Sequence, residues 1–373
     1  MKKALLSKTL LAASVAMVAN LSFAGEFKRF SVSAGWLHVM PQGKANPFNV
    51  GTAVEKDTRY QVGVISPSAF LDALDPNATL PGTNDNYKES VKNSFPLLAS
   101  IITDDDGNIK SEYSGTAEFT DDNSGNSLHY WHNDGTGLEA DDVDTLGLTF
   151  NYYINDNVSL QLIGGIPPKV DIKGKGKIQA PMQGLGNNIL APDVPLKSLI
   201  DITDFGNKPK IASVRAWTPA LEAQYQFGKT GVNKFRPYVG AGLMFAHFND
   251  IKLNDRTRFD LERAGHMIQY ITVDDNAGAA LDLAGNPMKQ GESSANPYVK
   301  VKADDAIAPI VTLGATYDMT ENWYGVASVS YAKLNNKVHV DVIDKNTGKR
   351  LINASTKVDI DPLITYVGVG YRF

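Results

Sequence analysis

The chain has 373 residues, no cysteine, 36 basic against 41 acidic side chains and a formal charge of -5. Without cysteine there is no disulfide framework, no thiolate metal or redox chemistry and no cysteine nucleophile. The balance is mildly acidic and no basic block with interleaved aromatics occurs, so a nucleic-acid surface is not expected.

The first residues read as an export signal. Lys2, Lys3 and Lys8 flank an apolar run from Thr9 to Val18, and Ser22-Phe23-Ala24 offers small residues for cleavage before Gly25. The run is too short to span roughly 30 Å of hydrocarbon, so residues 1–24 are expected to be a cleaved signal peptide rather than an anchor. Cleavage after Ala24 removes three lysines and no acid, taking the formal charge from -5 to -8. Beyond Ala24 no apolar stretch is long enough for a transmembrane helix. An exported chain of this kind is a soluble periplasmic or secreted protein, or a barrel.

Period-two alternation decides between them. The expected strands begin near Phe27–Val39, with Phe30, Val32, Ala34 and Trp36 opposed by Ser31, Ser33 and Gly35. The second, Asp144–Ile154, sets Leu146, Leu148, Phe150 and Tyr152 against Gly147, Thr149 and Asn151. A third starts at Val158 and a fourth ends at Phe227, with Trp217, Leu221 and Tyr225 opposite Glu222, Gln224 and Gln226. The others are read as Phe235–Phe248, Ala306–Tyr317, Trp323–Val342 and Ser355–Phe373. An aliphatic and aromatic face against an interior of small and polar residues is the reverse of a soluble sandwich. The expected fold is therefore all-β: an eight-stranded antiparallel transmembrane β-barrel with long extracellular loops, occupying residues 25–373 and located in the cell outer membrane.

Connections alternate in length. Asn155-Asp156-Asn157, Gly228–Asn233 and Asp318–Asn322 are short, whereas 41–143, 174–208, 250–305 and 343–354 are longer, which puts turns in the periplasm and loops outside. The first loop is too long for an unstructured connection, and is expected to be a subdomain, an extended rim or partly disordered. Its Asp104-Asp105-Asp106-Gly107 and Asp121-Asp122-Asn123 clusters lack EF-hand spacing and read as solvated turns, so no metal site is assigned. Gly174-Lys175-Gly176-Lys177 reads as a basic rim at the height of lipopolysaccharide phosphates, without Walker spacing. The histidines sit at strand ends or in loops with no Ser or Asp partner set by spacing, so no catalytic residue is assigned, no enzyme is expected and no cofactor is called for.

The chain closes on Leu363, Thr365, Val367, Val369, Tyr371 and Phe373 along one face. This terminal strand resembles the segment by which outer-membrane barrels are recognised by the assembly machinery, with Tyr371 and Phe373 as the signal. Near the turn end the inward positions are Gln161, Glu222, Gln224, Gln226, Arg236, Tyr238 and Arg372, a charged and amide plug that closes the floor to an apolar solute. Pro167 and Pro168 on the third strand lie beside Pro219 on the fourth, and a proline lacks the N–H that a ladder needs. Either these prolines end the strands at the membrane rim, or they mark a weak seam in the wall.

Four segments occurring in order, LGLTFNYYINDNVSLQLIGGIPP, ALEAQYQFG with KFRPYVGAGLMF, LGATYDMTENWYGVASVSYAKL and LITYVGVGYRF, resemble the OmpW family of small outer-membrane proteins. The resemblance covers most barrel strands but not the first loop or much of the third. It implies porin-like passive transport of small hydrophobic molecules, with lateral release into the membrane, and so favours a lateral opening at Pro167, Pro168 and Pro219. It also implies a constriction whose matched positions here are Ile163 and Ser330, the latter a hydroxyl where the family carries an aromatic ring. The implied partners are outer-membrane lipids and lipopolysaccharide, the barrel assembly machinery and a small hydrophobic solute. A second reading is surface binding, adhesion or a receptor role carried by the long extracellular loops.

Overall fold

The computed structural model describes residues 28–187, 193–206 and 210–373. The expected signal peptide lies outside the described residues. Among those described, eight strands pair each with its sequence neighbour and the eighth with the first, closing an antiparallel barrel. In chain order they are Phe30–Pro41, Val143–Tyr153, Val158–Gly165, Ala220–Gln226, Phe235–Leu253, Ala306–Asp318, Trp323–Ala332 and Pro362–Arg372. Closure leaves no free edge, which a bilayer would not tolerate.

The barrel's outer face is apolar: Leu148, Leu162, Leu221, Leu243, Leu313 and Val367 are all exposed. Its inner face holds Ser31, Thr149, Gln161, Glu222, Thr312 and Arg372, all buried. At the turn end aromatic rings form a girdle, with Phe30 5.3 Å from Tyr152, Trp323 5.1 Å from Tyr371, and Tyr225 5.0 Å from Phe227. Such girdles mark the membrane interface.

At the other end the long connections fold into a second body. Five strands, Pro297–Ala303, Asn335–Asp344, Arg350–Asp359, Phe48–Thr52 and Tyr130–Asn133, pair in that order. Four more, Val194–Asp204, Lys177–Asn187, Thr116–Phe119 and Arg59–Gln61, form another sheet. Helices Asp255–Thr272 and Ala277–Gly285 pack against them, the first capped by Asn254, whose side chain accepts from the Thr257 N–H at 2.7 Å. Buried Phe48, Phe119, Trp131, Phe205, Met267 and Leu351 belong to one apolar cluster here. The residues 41–143 are thus folded, as a contributor to this body.

Five strand readings are corrected. The seventh and eighth strands do not run on from Trp323 to Val342 or from Ser355 to Phe373. A corner intervenes, where the N–H groups of Ile360 and Asp361 both donate to the Leu334 carbonyl at 2.9 Å and Asp361 adopts φ 40°. Alternation continues through that corner, so periodicity cannot detect it. The fifth strand extends beyond Phe248 to Leu253 because its upper half pairs with Ala212–Trp217. The third and fourth strands are each interrupted: the stretches Lys169–Lys175 and Ala212–Trp217 form their own ladder above the break.

Candidate functional site

The inward side chains build a floor and then a cavity, which reaches an interrupted stretch of the wall's ladder. In the floor, Gln224 donates to the Gln161 side-chain oxygen at 2.5 Å, and Thr312 donates to Glu222 at 2.6 Å while its hydroxyl also meets that of Ser330 at 2.7 Å. Beneath, Arg372 pairs with Asp318 at 2.7 Å and lies 4.4 Å from the centre of the Tyr324 ring, whose hydroxyl donates to Ser31 at 3.0 Å. Gln226 donates to Thr316 at 2.6 Å. Opening such a network would strand buried polar groups at about 1–3 kcal/mol each.

Arg236 has a different job from the other floor residues. Its guanidinium donates to the carbonyls of Phe227 at 3.2 Å and Asp156 at 2.5 Å and to Thr230 at 2.6 Å. Those partners lie at the turns joining strands two to three and four to five, so Arg236 staples the turn end. Tyrosine rings fill space above glycines that the pleat leaves bare: a Cβ on Gly314 would lie 2.4 Å from Tyr238 Cζ, and one on Gly370 2.2 Å from Tyr324 Cζ. Only glycine permits rings to lie that close to the wall.

Above the floor lies a cavity of about 660 Å³, within the range of roughly 300–1,000 Å³ usual for small-molecule sites. Its lower part is lined by Ile163, Met244, Ile310, Leu334, Ser330 and Tyr366, and its upper part by Phe48, Phe119, Trp131, Met182 and Phe205 of the second body. The cavity therefore joins the two bodies. Ile163 faces it and packs against the Ala220, Met244 and Ile310 cluster. Ser330 lines it from the floor, its hydroxyl engaged with Thr312.

At one place the cavity reaches the wall, along Leu162–Pro168 and Trp217–Pro219. The third strand pairs with the fourth only as far as Ile163 opposite Ala220, and pairing resumes at Lys169 opposite Arg215. Between them one backbone bond is made, from the Ala216 N–H to the Pro168 carbonyl at 3.1 Å. Neighbouring seams hold: Ile166 N–H donates to the Leu146 carbonyl at 3.0 Å and Phe245 N–H to the Pro219 carbonyl at 2.9 Å. Pro167, Pro168 and Pro219 all fall in the interrupted stretch.

Other expected features resolve locally. The acidic clusters are Asx turns, in which Asp104 accepts from the Asp106 N–H at 3.1 Å and Asp122 from the Ser124 N–H at 2.8 Å. Lys177 of the basic rim pairs with Asp201 at 3.3 Å, and its neighbour Lys173 with Asp141 at 2.8 Å. Three rim histidines gain partners that spacing did not reveal: His38 with Asp144 at 2.8 Å, His247 with Asp305 at 2.6 Å and His339 with Asp304 at 3.5 Å. Thr312, Tyr324 and Tyr366 were missed as floor and cavity residues, although their inward parity was readable. The upper lining, Phe119, Trp131 and Phe205, carried no local signal because the residues converge from distant loops.

The OmpW family model matches residues 113–286 and 285–373. Outer membrane protein W of Vibrio cholerae serotype O1 is 27% identical over 229 residues, which is 61% of this chain and 73% of that protein. Outer membrane protein W of Escherichia coli K12 is 28% identical over 146 residues, 39% of this chain and 50% of that protein. Among solved structures, the outer membrane protein OprG from Pseudomonas aeruginosa matches with a TM-score of 0.47 and 16% identity, covering 93% of this chain and 96% of that one. With a closed eight-stranded barrel, an apolar outer belt and a family match over most of its length, this chain belongs to the OmpW family and is an outer-membrane protein.

Proposed function

We propose that the protein is a channel for passive uptake of small hydrophobic molecules, with lateral release into the membrane between Pro167, Pro168 and Pro219. The carrying observation is the mostly apolar cavity, floored by hydrogen-bonded polar groups, that comes to the wall where the ladder is interrupted. On this reading the long connections face outward and the short turns face the periplasm. A solute that loses its water on entering cannot cross Gln161, Gln224 and Glu222 without disrupting their bonds, whereas the seam faces hydrocarbon. Ile163 borders the lower cavity and Ser330 leaves it wide there.

The test is flux of N-phenyl-1-naphthylamine into liposomes carrying the full chain. Replacing Pro167 and Pro219 by Val supplies the missing donors on residues suited to a lipid-facing pleat, and uptake should fall while heat-modifiable migration in detergent gels persists. Ser330→Trp should also slow uptake. Unchanged flux in a folded Pro167→Val/Pro219→Val barrel would overturn lateral release. Surface binding would then be the better reading, since 41–143 contributes to a folded body at the end opposite the turns.

A further inference from the structure

The stretch preceding Tyr113 lies outside the family match, and it builds a second pocket. Helix Tyr87–Ile102, capped by Asn86 through the Glu89 N–H at 3.0 Å, turns Tyr87, Val91, Leu98 and Ile102 toward a cavity of about 270 Å³. These positions fall on one helical face. The cavity shares Phe70, Ser114 and Val194 with the main one, so the two are separated by single side chains.

The helix's other features point the same way. Leu97 is 80% exposed and Ile101 59%, an uncovered apolar pair one turn apart. Pro96 lies inside the helix, so the Lys92 carbonyl loses its ladder donor one turn earlier. Two of the hydroxyls that border the pocket are turned back on the backbone: Ser90 donates to the Asn86 carbonyl at 2.8 Å, and Ser114 to the carbonyls of Ser111, at 3.1 Å, and Gly63. Among the described residues, no ionic side chain lines it. A carboxylate or ammonium entering here would lose water without meeting an opposite charge.

We propose that this pocket is the outer entry site for an uncharged hydrocarbon chain. The chain is captured at Leu97 and Ile101, passes beneath helix Tyr87–Ile102, and reaches the main cavity between Phe70 and Val194. This rests on the transport reading of the main cavity, but it assigns a separate site built mainly from residues the family model does not cover.

Two readouts separate the claims. Full chain in liposomes is irradiated with a medium-chain alkyl diazirine and the label mapped by mass spectrometry, and naphthylamine flux is measured in parallel. The wild type should carry label within residues 87–113, which lie beyond the lipid-facing belt. Ser90→Leu/Ser94→Trp, which fills the pocket without adding charge, should abolish that label and cut flux at least about fivefold, because a filled core admits no second chain. Leu97→Gln/Ile101→Gln changes only exposed positions and so should not unfold the body, and it should weaken both readouts. Absence of label in 87–113 overturns the entry site, whatever the flux. Unchanged flux in the filled variant, with a conducting wild type, overturns it while leaving the channel standing. A wild type that labels at 87–113 but does not conduct shows a pocket that binds a hydrocarbon chain, and overturns both the channel and the pocket's role as its entrance.

Discussion

The fifth strand, Phe235–Leu253, runs through both bodies, and its two faces exchange character on the way. In the barrel its apolar Val239, Leu243 and Phe245 are exposed while Arg236 and Tyr238 are buried. Past Asp250, which takes φ 50°, Lys252 is exposed while Ile251 and Leu253 pack inward against the upper clusters. The same period-two pleat serves two solvents. In hydrocarbon the apolar face must point out and polar groups must find each other inside; in water the reverse holds. The residue with left-handed backbone lies where the chain passes from one regime to the other.

That contrast can be broken most severely at the terminal strand. Phe373 exchanges backbone bonds with Phe30, at 3.0 and 3.3 Å, and its ring stacks 6.2 Å from that of Phe30, so it closes the barrel as well as ending the chain. Deleting Phe373 should collapse the level of heat-modifiable protein in the outer membrane. A normal level, read on unheated detergent gels, would remove Tyr371 and Phe373 as an assembly signal.

A cavity made in the upper body should act on that body alone. Leu351 is fully buried in its cluster, and Leu351→Ala should cost about 2–5 kcal/mol there. Hydrogen exchange should rise in Arg350–Asp359 and its neighbours while the barrel keeps its heat-modifiable migration. Loss of both together would mean that the two bodies fold as one unit.

One substitution at two similarly exposed leucines sharpens the comparison further. Leu221 is 56% exposed on the barrel and Leu199 64% exposed on the upper body. Leu221→Lys should destabilise by about 2–4 kcal/mol if its surroundings are hydrocarbon. Leu199→Lys should stay within about 0.5 kcal/mol if its surroundings are water. Urea unfolding in liposomes measures both, and equal effects would contradict the proposed position of the belt.

The smallest expected effect concerns pH. Burial holds the His266 imidazole below its ordinary value, with the Asp274 carboxylate partly opposing, and the ring meets the Ser293 hydroxyl at 2.7 Å. The fold thus favours the neutral ring. Its contribution is fully present above the unfolded value, near 6.5, and is lost as pH falls below it. The upper body should therefore melt slightly earlier at pH 5.5 than at pH 7.5, and His266→Asn should reduce that difference.

The barrel was legible because its signal is local. Leu146, Leu148 and Phe150 alternate with Gly147, Thr149 and Asn151, and the hydrocarbon that this pattern answers is the same for every strand. The inward placement of Gln161, Gln224 and Arg372 was legible for the same reason, since parity alone selects them. The upper body was not. Helix Asp255–Thr272 carries Leu261, Ala264, Ile268 and Ile271 at helical spacing, yet it fell inside a stretch read as loop because the short-turn, long-loop alternation of barrels was applied to it. The corner at Leu334 and Asp361 left the alternation of strands seven and eight unchanged, so only pairing could place it.

What the residues determined by themselves was therefore the barrel, its strand order and the polarity of its two faces, since each depends on neighbours two positions apart and on one solvent. Three prolines were visible too, but not that all of them fall in the one interrupted stretch between the third and fourth strands. The cavity was decided by tertiary structure alone: Phe48, Phe119, Trp131, Ile163 and Phe205 meet only after connections of very different length have closed, and no period in the chain encodes which loops will share a core.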